Sequence, residues 1–305
     1  MRLVTYLDGD AELLGWVDRG RAVPAGQVAP GLPRTMDELI ARGPEALETL
    51  RGAEPALATA VERGGVPVDR LKLLAPTPRP SKIIAVGLNY LAHAAESKEA
   101  SPAEPLLFAK FSSAVTGHRA DITWDPGLVR QVDAEAELAV VIGRRTREVH
   151  PAEALDHVLG YTACNDVSAR DLQAADGQWV RAKSLDTFCP LGPVLVTADE
   201  IPDPQDLKIQ CILNGTVTQS ASTMDMHFSV RHLISYCSAY FTLEPGDIIA
   251  TGTPPGVGIY RDPPVLLSDG DEVAIDIERI GRLVNTCRFQ ATTGTVDHDR
   301  PAVGG

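Results

Sequence analysis

Two glutamates one residue apart, Glu135 and Glu137, open a strongly apolar run, Leu138-Ala139-Val140-Val141-Ile142. The run reads as a β-strand with a buried end, and on a strand residues i and i+2 face the same way. Both carboxylates then aim at one point near a core, which is costly unless a positive charge lies between them. A hard divalent cation is the simplest such charge, and Asp166, just past a strand-like segment at 161–164, could add a third oxygen ligand. Three carboxylates without His or Cys favour Mg²⁺ or Mn²⁺, with Ca²⁺ also fitting, over Zn²⁺. The plainer reading is an amphipathic edge strand with wet glutamates. Asp133, which extends the same-face row, fits that reading too.

A second group lies in Asn89-Tyr90-Leu91-Ala92-His93-Ala94-Ala95-Glu96. On a helix, His93 and Glu96 are neighbours at i, i+3. A carboxylate beside an imidazole orients the ring and suits it to general-base work. From spacing alone, an exposed ion pair on an Ala-rich helix is the simpler account. Lys183 and Lys110 both sit among aromatic and apolar residues, where each could meet a carboxylate or enolate, or snorkel to water. Arg170 and Gln173 follow Asp166 by four and seven residues, one face if the chain is helical there and otherwise a solvated face. Thr251-Gly252-Thr253-Pro254-Pro255-Gly256-Val257-Gly258 follows a strand, and its N–H groups and hydroxyls could hold an anion. It lacks the Gly-Lys-Ser/Thr of a nucleotide loop, and an ordinary turn is the simpler reading.

The elements that must carry these groups are mostly strands. Short strands are expected at 3–7, 13–17 and 21–24, then helices at 36–51 and 54–63. Pro, Gly and polar residues thicken across 64–81, which divides a small N-terminal domain (1–72) from a main domain (73–290). In the main domain, Leu207, Ile209, Cys211 and Leu213 alternate up to an Asn214-Gly215 hairpin turn. Val273, Ile275 and Ile277 form another alternating run that returns after Ile280-Gly281. Helices are expected over 151–159 and after a Ser229 cap. A polar tail, 291–305, is expected to fray.

Composition sets limits on function. The chain has 305 residues, 44% hydrophobic and 23% charged, which supports a real core. A formal net charge of -13 and no Lys/Arg-rich run argue against nucleic acid or an anionic membrane as partners. Five widely spaced cysteines without C-x-x-C read as reduced thiols of a cytoplasmic protein. The N-terminus lacks a signal-peptide pattern, and no apolar stretch is long enough to span a bilayer.

The order of these pieces carries a resemblance. Val86-Gly87-Leu88-Asn89-Tyr90-x-x-His93-x-x-Glu96, Phe108-x-Lys110, Glu135-x-Glu137-Leu138, Asn165-Asp166-Val167-Ser168-Ala169-Arg170-Asp171-Leu172-Gln173, Ala182-Lys183-x-x-Asp186-Thr187-Phe188-Cys189-Pro190 and Gly246-Asp247-x-Ile249-x-Thr251-Gly252-Thr253-Pro254-x-Gly256-Val257-Gly258 together resemble the fumarylacetoacetate hydrolase family over about residues 81–290. The resemblance implies a mainly β fold with some α: a twisted β-roll catalytic domain behind a small α+β N-terminal domain, usually as a homodimer. It implies one Mg²⁺ or Mn²⁺ per subunit on Glu135, Glu137 and Asp166. His93 and Glu96 match a water-activating pair on a segment that closes as a lid. Lys183 matches a residue of the catalytic set, and Arg170, Gln173 and Thr253 match substrate-contacting positions, with Lys110 expected beside them. The substrate would be a small 2-oxo acid. The leading expectation is hydrolysis of a C–C bond in a 2,4-dioxo acid of the acylpyruvate or fumarylpyruvate type. The alternative is an isomerase, tautomerase or decarboxylase of a 2-oxo or 2-hydroxydiene dicarboxylate such as oxaloacetate or 2-hydroxyhepta-2,4-diene-1,7-dioate. A non-catalytic binding protein is the third reading. Three positions depart from the pattern: Phe111 where Pro is frequent, Ser184 where Gly is common, and His227 at a usually apolar place.

Overall fold

Every residue of strand Ala136–Ile142 is buried, which requires neighbours on both edges and cover on both faces. In the computed structural model, which describes residues 1–291, it lies between Val158–Asn165 and Ile248–Ala250, antiparallel to both. Ile248–Ala250 in turn runs parallel to Ile83–Gly87, which pairs with Leu106–Lys110. On the other side Val158–Asn165 pairs with Cys189–Thr197. The edge-strand reading of the glutamates is therefore corrected: their strand is central. A second sheet of five strands runs Thr216–Ser222, Lys208–Leu213, Glu272–Ile277, Gly281–Phe289 and Asp121–Trp124. Val140 and Tyr161 of the first sheet share one buried cluster with Ile209, Ile275 and Leu283 of the second. The fold is mainly β with some α.

The N-terminal strands do not form a separate sheet. Arg2–Asp8 continues the large sheet by pairing with Cys189–Thr197, Arg2 opposite Val196 and Leu3 opposite Leu195. Leu14, Trp16, Met36, Leu39 and Leu50 make their own buried cluster, and Val141, Leu159 and Leu195 close it from the large sheet. Val141 shares the Glu137 face of its strand, so the N-terminal segment covers the far end of that face, while Leu138 and Val140 turn to the second sheet.

Two helix boundaries differ from expectation. The chain breaks at Gly43, not near residue 52, giving Met36–Arg42 and Pro44–Gly64. Gly43 takes φ 64 and ends the first helix, and Pro44 starts the second at a first-turn position where a missing N–H costs nothing. The segment 151–159 holds only a short 3₁₀ turn, Ala154–His157, because Val158 and Leu159 already belong to a strand. Gly160 is no helix cap. It lets the strand press against the Val196 carbonyl, where a Cβ would collide. The Asn214-Gly215 hairpin forms as expected, both residues at positive φ. Ser229 caps Val230–Tyr240 by accepting from the His232 N–H. All five cysteines are buried free thiols. Among the described residues, no helix is long and apolar enough to cross a membrane. Apart from residue 291, the expected fraying tail lies outside the described residues.

Candidate metal centre and active site

The register places the acidic residues. Glu137 lies opposite Cys164 and Ala136 opposite Asn165, so Asp166 emerges beside Glu135. The Asp166 N–H donates to the Glu135 carbonyl at 2.9 Å, and the Glu135 N–H donates to Asn165 Oδ1 at 3.0 Å. One carboxylate oxygen from each of Glu135, Glu137 and Asp166 lies within 4.8 Å of the others, all three residues buried. Asp133 is no member of this group. Its carboxylate accepts from the N–H groups of Ala134, Gly258 and Ile259 and from Arg170 Nε at 3.2 Å.

Three buried cations surround the triad. Lys183 Nζ donates to Glu135 at 2.6 Å and to Asp166 at 2.8 Å. Lys110 Nζ donates to the other Asp166 oxygen at 2.6 Å, and Arg170 donates to Glu135 at 2.6 Å. Four buried carboxylates thus meet three buried cations, and Glu137 is the member without an ion pair; the Gly252 N–H at 2.9 Å is its hydrogen-bond donor. Burial, then the charges of Asp166 and Glu135, push the Glu137 carboxyl well above its ordinary range. Burial acts on Glu135 in the same direction, but Lys183 and Arg170 outweigh it and hold that carboxylate well below. Burial alone would lower Lys183; Asp166 and Glu135 reverse this and keep it protonated. An all-oxygen donor set with one uncompensated buried carboxylate fits a hard divalent cation such as Mg²⁺ or Mn²⁺.

The second group joins the first across one cavity. His93 is 6% exposed, on helix Leu91–Ser97, with Nδ1 2.8 Å from Glu96 Oε1. This is not an exposed ion pair. The other Glu96 oxygen accepts from the Gly256 N–H at 2.8 Å. The loop following Ile248–Ala250 therefore holds three of the protein's own carboxylates, Glu137, Glu96 and Asp133, through its main-chain N–H groups. The loop is thus more than the ordinary turn that the sequence favoured, though the anions on its N–H groups are the protein's own side chains. Arg261 fastens it by donating from Nε to the Gly256 carbonyl at 3.1 Å and from its terminal nitrogen to the Thr218 carbonyl.

The cavity measures about 490 Å³, and Glu135, Glu137, Asp166, His93 and Lys183 share its lining with Arg170, Gln173 and Thr253. Arg170 donates to Gln173 Oε1 at 2.8 Å, on a helix that begins at Arg170 and does not include Asp166. Thr253 Oγ1 accepts from Gln219, whose own oxygen accepts from the Ala136 N–H. Lys110 does not line the cavity, which corrects its expected substrate contact. Its ammonium is spent on Asp166 and on the Val167 and Lys183 carbonyls, behind the triad. Ser184 faces away too, accepting from the Phe111 N–H at 3.0 Å. His227 is exposed and contacts the Pro102 carbonyl at 3.2 Å.

Several wall residues escaped the sequence reading. Trp179 packs edge-on against Phe108 and over Gly87, where a Cβ would stand 2.6 Å from the indole. Lys183 Nζ lies 5.3 Å from the Phe108 ring centre. Tyr260 meets the His93 ring edge-on at 5.9 Å. A lone Trp, Tyr or Gln offers no periodic signal. Only Gly87, inside a motif, hinted that something approaches closely.

Fold and site together define a class: proteins whose central strands end in a buried carboxylate triad able to hold a hard metal, beside a His–Glu pair. The profile of the fumarylacetoacetate (FAA) hydrolase C-terminal domain matches residues 82–288, and the chain belongs to that family. It is 45% identical over 268 residues to a mitochondrial oxaloacetate tautomerase of Bos taurus, covering 87% of this chain and 83% of that one. The Homo sapiens counterpart is 44% identical, over 84% of this chain and 80% of its own. Among solved structures, fumarylacetoacetate hydrolase from psychrophilic Exiguobacterium antarcticum aligns with TM-score 0.82 and 37% identity, over 95% of this chain and 100% of that one. A maleylpyruvate hydrolase from Sphingobium sp. SYK-6, solved with manganese(II) and pyruvate, aligns at 0.77 and 33%, over 95% and 99%.

Proposed function

We propose that this protein is a divalent-metal-dependent enzyme that interconverts the keto and enol forms of a small 2-oxo dicarboxylate of the oxaloacetate type. The observation that carries the reading is the single cavity in which a buried carboxylate triad faces a His93 ring held by Glu96. Tautomerisation needs one proton moved between carbon and oxygen while negative charge is stabilised, and nothing more. Glu135, Glu137 and Asp166 would hold one Mg²⁺ or Mn²⁺, which when bound polarises a 2-oxo group and its neighbouring carboxylate. Lys183 adds fixed positive charge where the enolate oxygen develops. With Nδ1 committed to Glu96, His93 exchanges the proton at Nε2. Arg170 and Gln173, already bonded to each other, orient the second carboxylate.

The names of relatives at 44–45% identity support tautomerisation over C–C hydrolysis. Cleavage of an acylpyruvate is the second reading, favoured by the solved hydrolases that share the fold. It uses the same residues, with His93 taking its proton from water. The test is to add pure metal-loaded protein to the enol of oxaloacetate and follow loss of its ultraviolet absorbance, with acylpyruvates assayed in parallel by NMR. No acceleration over metal and buffer alone sinks the tautomerase reading. Acylpyruvate cleavage without oxaloacetate turnover installs the second.

A further inference from the structure

Sharing no lining residue with the catalytic cavity, a surface cleft of about 590 Å³ lies where the N-terminal segment meets the main sheets. Arg19 and Arg21 line it from the first segment, and Arg119 and Arg282 from the second. In a chain of net charge -13, four guanidinium groups on one cleft stand against the general field. Asp69 is the one acidic residue in its lining.

How these arginines are held matters more than their number. Arg119 donates to the Asp69 main-chain carbonyl at 2.8 Å, and Arg21 donates to the Gly65 carbonyl. A carbonyl fixes a guanidinium in place without neutralising it, so its remaining N–H donors keep full charge. Among the described residues Arg21, Arg119 and Arg282 have no carboxylate partner, whereas Arg19 is offset by Asp18 at 3.0 Å. His118 also lines the cleft. Its Nδ1 accepts from the Val284 N–H at 3.0 Å. Burial, and then Arg119, push it down to about 4, so the ring is neutral at pH 7. The neutral ring must then carry its proton on Nε2, which makes it a further donor.

We infer that this cleft is a second binding site, for a compact organic polyanion carrying at least two negative charges. Planar, uncompensated guanidinium groups with one neutral N–H match the oxygens of a phosphate monoester or a polycarboxylate. Two probes separate these sources: glycerol 2-phosphate and tricarballylate.

Binding is to be measured by calorimetry and thermal melting on the metal-loaded protein, with oxalate first saturating the catalytic cavity. At a probe concentration a hundredfold above Kd, Tm should rise by about 3–6 °C. Arg282→Glu should weaken binding at least about tenfold, since one attraction becomes a repulsion. Arg21→Gln should weaken it severalfold. Both residues lie outside the catalytic cavity, so turnover should stay at the wild-type level. Binding of either probe with this pattern supports the site and names its ligand class. The proposal is overturned if neither probe binds below roughly 10 mM, or if both variants bind as the wild type does. Because catalysis is read separately, failure here leaves the enzymatic reading intact, and the reverse.

Discussion

Glu137→Gln should make the metal-free protein more stable while abolishing its response to metal. Glu137 is buried with carboxylates of Glu135 and Asp166 within 4.8 Å. At an effective dielectric of about 20, each of those repulsions amounts to about 3.5 kcal/mol. Lys183, bonded to both neighbours, offsets roughly one of the two, leaving about 3 kcal/mol against the ionised side chain. Glutamine keeps the shape and can still accept from the Gly252 N–H, so the relief comes with little loss of packing. For a chain of this size the gain corresponds to a rise in Tm of about 4–8 °C. The pH dependence has a definite sign. The folded-state pKa of Glu137 is raised, so its contribution to the metal-free fold is full below the ordinary carboxylate range. It is lost as pH rises through the raised value. The variant should lack that part of the slope. Scanning calorimetry of chelator-stripped protein, with and without Mn²⁺, at several pH values reads all of this. A variant that melts below wild type when stripped, or that still gains Tm with Mn²⁺, refutes the electrostatic account of the triad.

Three further outcomes follow from the geometry. His93→Ala should lower kcat by about 10²–10⁴-fold while the Mn²⁺-induced Tm shift is retained; loss of that shift would mean that His93 supports the metal. Arg261→Ala should lower kcat with little change in KM, because it releases the loop that fixes Glu96; an unchanged pH–rate profile would show that Glu96 is held without it. Ser184→Gly strands the Phe111 N–H and should cost about 1–2 kcal/mol. Adding Phe111→Pro, at a φ of -74 that proline accepts, should restore most of it in a double-mutant cycle.

The last prediction also shows what the sequence could and could not disclose. Phe111 and Ser184 stand out as two unrelated departures 73 positions apart. The fold makes them one feature: where proline needs no acceptor, phenylalanine does, and Ser184 supplies it. The triad was legible because strand periodicity sets side-chain direction, so Glu135 and Glu137 could be aimed before any fold was known. The depth of His93 was not legible, since burial depends on Glu96 finding the Gly256 N–H 160 residues away. Lys110 misled for a related reason. A lysine among apolar residues must be paired when buried, but only the packing shows that its partner is Asp166 and that none of its charge faces the cavity. The expected gap between residues 51 and 54 does not occur, because packing of Leu50 and Leu57 into the N-terminal cluster carries the helix past Gly52 and Pro55.

The loop following Ile248–Ala250 has a bearing on descent. It holds Glu137, Glu96 and Asp133 with peptide N–H groups, which every residue but proline provides. Its own side chains can therefore drift without disturbing the acid–base apparatus, except at Gly252, Gly256 and Gly258, where a Cβ would strike the Asn89 side chain and the Thr218 and Val265 carbonyls. The facing wall has no such tolerance, because Trp179 and Phe108 act through their own shapes. Relatives that perform different reactions on one scaffold can thus inherit one side of the cavity almost passively and be sorted by selection on the other.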